Sequence, residues 1–481
     1  MTTHDLRRAF TRKSVFVCAV FFLFFCLLVW PVNFYLARTL KGSYYQLLAP
    51  VLVCLALQFP QLRRSPEGRV MLLHCLWFWF SRILCGDPAL ATECEAVLDL
   101  FLMIPFVAFG LVLDREERRR AIDWVSAVVG GVFFVYGALG LAAYMQHTRF
   151  SNPITQGELG VHAFGDAPLL NILNFDPNTC GVLFVLAALL MLYQFAACKN
   201  RLWRVPIALA GLVHLLAACV TFSRSALLVL SLALACAAVS ALLPVLRARR
   251  PAVRIASLAV VFLLVLALSF KLTGWGGDAL LRLSYTLYPY QPSAIESTEA
   301  PEAEEEAAVV SAAPSASPDS PLFRKLDSLS TGRLSIWRFA LQACRQEPLS
   351  LLRGHLMKDV TVSFDSFVTG EFLSQYAFPT HMHNSLVQVL LSMGLPGFAL
   401  ALVMFFLIAR SSLRCFVAAD TRTGLSTRIL ASIPLAAFVY FLLEPWLFLC
   451  LDTCAFTYYL LWGLVAGEAR DLRHKNNQSA P

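Results

Sequence analysis

Runs of about 20 apolar, uncharged residues recur along the whole chain, divided by short polar breaks, and that length is what a helix needs to cross a bilayer. Twelve spans are predicted, over residues 14–37, 43–60, 70–85, 96–113, 122–144, 177–195, 205–222, 225–245, 255–272, 385–409, 429–447 and 449–466. The first run is longer than a signal-peptide core and lacks a small-residue cleavage site, so it is expected to stay as a helix. The stretch 205–245 would be about 61 Å long as one helix, twice the hydrocarbon thickness. It must therefore fold into two spans, with the break near Ser223-Arg224-Ser225.

Composition agrees. Of the 481 residues 58% are apolar and 15% charged, against roughly 45–50% and 25% in soluble proteins, and mean hydropathy is +0.65. A soluble enzyme, a disulfide-stapled secreted module and a nucleic-acid binder are excluded. The formal charge of +8 comes from clusters in alternate breaks, among them Arg7, Arg8, Arg12 and Lys13, Arg115 to Arg120, Arg247 to Arg254, and Arg470 to Lys475. The other breaks hold Arg38, Lys41, Arg149 and Arg224. By the positive-inside rule both termini are cytoplasmic. The expected fold class is an all-α polytopic membrane protein of about twelve helices, with a large extracytoplasmic loop domain between spans nine and ten. Most of the 14 cysteines sit in apolar runs as small hydrophobes, and Cys85 and Cys94 flank one outer loop and are close enough in sequence to pair.

This reading divides the chain into a membrane domain over 1–272, a loop domain over 273–384, a second membrane domain over 385–469 and a cytoplasmic tail over 470–481. The stretch 291–321 is rich in Ala, Glu, Ser and Pro and has no aromatic residue, so a disordered acidic insert is expected there. Beyond it, residues 332–352 show helical spacing, with Leu334, Trp337, Ala340, Leu341 and Cys344 on one face.

Several outer charges are not explained by topology. Arg224 works against the orientation signal, and either snorkels to headgroups or forms an anion site. Arg333 precedes the amphipathic loop helix and is followed by Arg338, Arg345 and Arg353, any of which could be simply solvated. In His381-Met382-His383-Asn384 two histidines stand where the loop re-enters the membrane; without a nearby thiol or carboxylate they make a poor metal set. Asn384 or Ser385 is a good N-cap, and a helix N-terminus there would favour phosphate beside His383. Glu444-Pro445, Asp452 and Asp176-Pro177-Asn178 lie at outer span ends as caps or site carboxylates. Arg82 is a deeper charge, suited to a carrier or a buried ion pair.

These residues resemble the O-antigen ligase and O-antigen polymerase superfamily of bacterial membrane glycosyltransferases. The resemblance is carried by His383-Asn384, nine residues, then Gly394-Leu395-Pro396-Gly397; by Thr221-Phe222-Ser223-Arg224-Ser225; by Gly332-Arg333 ahead of Ile336-Trp337; and by Asp176-Pro177-Asn178. Where the family has Gly-x-Gly after its arginine helix, this chain reads Leu352-Arg353-Gly354-His355, and the acidic insert is extra. The resemblance implies a polyprenyl-diphosphate-linked glycan as donor, a glycan, lipid or protein acceptor, the bilayer as partner and no nucleic acid. It also implies a location in the bacterial cytoplasmic membrane with an extracytoplasmic active site, and inverting displacement without metal or cofactor. Arg224 and Arg333 would grip the departing diphosphate, and His383 would take the acceptor proton. Ser223, Asn384, Arg338, His381, Asp176, Asn178 and Glu444 would line the substrate site, with Glu444, Asp452 or Asp176 as substitute bases. The strongest rival is a multi-span transporter or flippase, which glycan transfer would exclude. A metal-dependent glycosyltransferase would need carboxylates in the first outer loop, and Ala37 to Gly42 has none.

Overall fold

A computed structural model describes residues 12–28, 62–85, 103–146, 149–151, 158–164, 167–172, 177–246, 249–287, 333–346, 348–355, 382–418, 424–444, 447 and 453–478. Its helices are α1 (Arg12–Leu28), α2 (Pro66–Leu84), α3 (Met103–Val112), α4 (Arg115–Met145), α5 (Pro177–Ala197), α6 (Arg201–Val220), α7 (Arg224–Leu242), α8 (Pro251–Leu287), α9 (Arg333–Gln346), α10 (Ser350–Arg353), α11 (Ser385–Ala418), α12 (Gly424–Phe441) and α13 (Thr453–Gln478). Seven of them, α4 to α8, α11 and α12, are long and apolar enough to cross a membrane, and α1 and α3 are shorter apolar helices. The predicted span 43–60, Cys94 and the acidic insert lie outside the described residues.

The helices start where side chains satisfy their first free N–H groups. Ser65 accepts from Gly68 N ahead of Pro66, Asn200 from Leu202 N, and Asp114 forms a capping box with Glu117 at the head of α4. Packing then joins α7 to α5, α8 and α12, and α11 to α2, α12 and α13. α13 reaches about 39 Å, and its two ends meet different chemistry. Near its C-terminus the buried Arg118 donates to Asp471 at 2.6 Å, lies 3.7 Å from Glu468, and also donates to the carbonyls of Gly110 and Leu113. Lys13 pairs with Glu117 at this same end. Near its N-terminus Cys454 lies against the carbonyl of Thr179. Lys13 and Arg118 with their acidic partners therefore lie at one end of the bundle, and Thr179, next to the candidate site, at the other.

Three details correct the sequence reading. The segment 145–176 contains a three-stranded antiparallel sheet, β1 (Arg149–Ser151), β2 (Glu158–Phe164) and β3 (Ala167–Ile172), with Phe164 opposite Ala167, so the chain is not helical throughout. α8 continues without a break to Leu287, fifteen residues past its predicted end at 272. On α9 the buried face is Ile336, Ala340 and Cys344, which pack on Met382 and Leu391, while Leu341 is exposed. Among the described residues the packed face is this i, i+4, i+8 row with Trp337 beside it, laid against α11 and α10, so it is narrower than the apolar row in the sequence.

Candidate functional site

The turn between α6 and α7 is short and tightly held. Thr221 Oγ1 donates to Ala218 O at 2.8 Å, and Phe222 takes a left-handed conformation, φ 50°, that side chains seldom adopt. That reversal leaves Ser223 free to cap α7: its Oγ accepts from Ala226 N at 3.2 Å and donates to Asn178 Oδ1 at 2.8 Å. Arg224 is the first residue of α7. It is exposed, and among the described residues its side chain makes no hydrogen bond or ion pair.

Asn178, in the first turn of α5, passes the connection on. Its Nδ2 donates to Glu444 Oε1 at 3.1 Å. Glu444 is 2% exposed and is the centre of the site. Arg333 Nη2 donates to the same Oε1 at 2.6 Å, and His383 Nδ1 lies 3.2 Å from Oε2. A carboxylate taken out of water must be compensated in this way or it destabilises the fold. The main chain at Glu444 is held too, since Ser385 Oγ donates to its carbonyl at 2.8 Å and accepts from Leu447 N at 3.2 Å.

His383 is the second non-glycine residue with positive φ, 44°. Such conformations cost about 1–3 kcal/mol and persist where surrounding contacts impose them. Here Asn384 Oδ1 accepts from Leu386 N and Val387 N to cap α11, Gln388 Oε1 accepts from Met382 N, and Trp337 Nε1 donates to Met382 O at 2.9 Å. The imidazole is pinned by its Nδ1 side and remains about one-third exposed, whereas Arg333 is 16% exposed.

Below the site α11 is broken. Gly394 has φ 66°, and a Cβ there would lie 2.6 Å from Leu352 O. Gly354 has φ 80°, and its Cβ would lie 2.2 Å from Ser392 O. The two glycines interlock, which explains in physical terms both the glycine of the Gly394-Leu395-Pro396-Gly397 motif and the glycine retained in Leu352-Arg353-Gly354-His355. Arg82 donates here to backbone carbonyls, those of His355 at 2.9 Å and of Ser392, so the deep charge that suited a carrier serves the helix break.

Of the residues singled out from sequence, His383, Arg333, Glu444, Asn178 and Ser223 converge on one hydrogen-bonded constellation, and Arg224 and Asn384 adjoin it in the chain. Arg338 lies on the exposed side of α9. His381, Asp176 and Asp452 lie outside the described residues. Among the described residues no three His, Cys, Asp or Glu side chains gather as a metal site. Sequence reasoning missed the centrality of Glu444 and the supports Ser385, Gln388 and Trp337; only the Pro after Glu444, marking a turn, hinted at it.

Residues 207–402 match the O-antigen ligase family. The O-antigen ligase match supports the ligase/polymerase superfamily read from the motifs, and with it an O-antigen ligase/polymerase-like role in a membrane. It runs from α6 to the middle of α11 and so takes in Ser223, Arg224, Arg333, His383 and Gly394, whereas Asn178 and Glu444 lie outside the matched stretch. No curated protein matches the chain.

Proposed function

We propose that this chain moves a glycan from a polyprenyl-diphosphate carrier to an acceptor hydroxyl on the outer face of the bacterial cytoplasmic membrane, by direct displacement with inversion and without a metal ion. The observation that carries this reading is the buried Glu444, joined at one oxygen to Arg333 and at the other to His383, beside the helix that Arg224 opens.

A carboxylate only accepts hydrogen bonds. Facing Glu444 Oε2, His383 therefore carries its proton on Nδ1, which leaves the Nε2 lone pair to act as base. The acceptor oxygen gives its proton to Nε2 and attacks the anomeric carbon. The bond from that carbon to the phosphate oxygen breaks, and the diphosphate leaves with the electron pair. The Arg224 guanidinium has its donors free for the developing phosphate charge, and Arg333 has donors beyond the one held by Glu444. Permanently charged planar forks suit phosphate oxygens, and fixed cations stabilise the transition state without reorganising. His383 serves as base and Glu444 orients it; the other outer carboxylates are then not needed for proton transfer.

The test is product analysis with purified protein and a labelled lipid-linked glycan. Transfer should disappear in Arg224→Ala and Arg333→Ala while both proteins insert normally, and Arg38→Ala should keep it. Near-normal transfer by Arg224→Ala would refute the leaving-group assignment. Label found on a separate lipid or protein identifies a ligase; a lengthened glycan on the carrier identifies a polymerase.

A further inference from the structure

The break in α11 exposes carbonyls that an unbroken helix would satisfy. Pro396 has no N–H, so Ser392 O loses its helical donor, and the excursion at Gly394 removes the next turn's regular bonding. α2 supplies the replacements. Arg82 Nη2 donates to Ser392 O, and Trp77 Nε1 donates to Met393 O at 2.8 Å. The same guanidinium reaches the other way through Nη1 to His355 O at 2.9 Å. The arm closes the junction from its side: His355 N donates to Leu391 O at 2.6 Å, and Arg353 Nη1 donates to Leu84 O at 3.2 Å. Three elements meet here around a cation that is 2% exposed, and a buried charge is costly to hold unless hydrogen bonds compensate it.

What leaves the junction matters for the reaction. One strand of chain leads back through α10 and α9 to Arg333; the other leads up the first turns of α11 to His383. We infer that Arg82 is a positioning residue: by bridging His355 O and Ser392 O it locks the arm that bears Arg333 to the helix that bears His383. It does so from about 14 Å away along α11, without touching the substrate site. A guanidinium holds the two carbonyls from separate nitrogens in a rigid planar fork, whereas an ammonium must reach both from one nitrogen at the end of a flexible stem. This inference rests on the proposed function, because it is transfer that needs the two groups in register.

The experiment uses the reconstituted full chain with a labelled lipid-linked glycan, and spin labels on non-natural residues at the exposed positions Leu341 and Leu402. Arg82→Gln should lower kcat per folded molecule about 10²-fold, the order that an ångström of misplacement costs, with the donor KM changed less than about threefold. The label distance distribution should broaden. Arg82→Lys should recover part of the rate, and Trp77→Phe, which removes one donor and keeps the ring, should fall by a smaller factor; these two judge the inference if Arg82→Gln does not fold. Unchanged kcat overturns it, as does a loss of kcat with an unchanged distance distribution. If the wild-type chain transfers no glycan, the proposed function fails, and the distances alone decide: broadening in Arg82→Gln sustains the clamp, and an unchanged distribution refutes it.

Discussion

Glu444→Gln separates the orienting carboxylate from the packing around it. The substitution keeps the volume, and its amide oxygen can still accept from Arg333 and Asn178 at the Oε1 position. The change falls on the other side. An amide nitrogen then faces His383 Nδ1, where an oxygen lay at 3.2 Å. Nδ1 must accept, the ring proton moves to Nε2, and the base is lost. General-base catalysis contributes about 10²–10⁴-fold, or about 2.7–5.4 kcal/mol of barrier at 1.36 kcal/mol per tenfold. The rate should fall by that factor, with donor binding little changed because the arginines keep their partners. Stability should fall by less than the rough 3–5 kcal/mol expected when a buried ion pair loses a member outright. The assay is single-turnover transfer at saturating acceptor, beside thermal unfolding of the same preparation. If Glu444→Gln transfers at more than about a third of the wild-type rate, well inside the 10²-fold minimum, the tautomer argument is wrong.

Other outcomes follow from the same geometry. Gly394→Ala forces a side chain into φ 66° with its Cβ 2.6 Å from Leu352 O; it should cost more than about 2 kcal/mol, and an unshifted unfolding temperature would contradict the interlock. Asp114 is held below the usual carboxylate range, first by the backbone N–H of Glu117. A depressed folded-state value means its stabilisation is present at neutral pH and fades as pH falls through that value. Asp114→Ala should therefore cost about 1 kcal/mol as a lost cap near pH 7, and the gap from wild type should narrow in acid; a pH-independent gap would exclude the electrostatic part. Transfer should survive EDTA, and a loss restored by added divalent metal would return the two histidines to consideration as ligands.

The fold was legible wherever one physical demand dominated. Hydrocarbon rejects unpaired backbone polar groups, so the apolar runs announced helices at α4 to α8, α11 and α12. The helix starts were readable for the same kind of reason, since Ser223 and Asn384 carry the short polar side chains that caps need. The hairpin between β2 and β3 was signalled and overlooked: Gly165-Asp166 separates two strand-length runs, a pattern that favours a tight turn. Leu341 was misjudged because a periodic apolar row predicts a face without saying how wide its neighbour is.

Residue types alone determined that this chain lies in a membrane and which breaks carry the positive charge, because apolarity and charge are properties of single side chains; that Arg224, Arg333 and His383 act together was what the family resemblance implied. Tertiary structure decided that Glu444 joins Arg333 to His383, that Phe222 and His383 take left-handed backbone conformations, and that Arg82 donates to two backbone carbonyls. Those are relations between segments as far apart as residues 82, 355 and 392. No local pattern encodes them, since each pairs groups that meet only once segments distant in sequence have packed together.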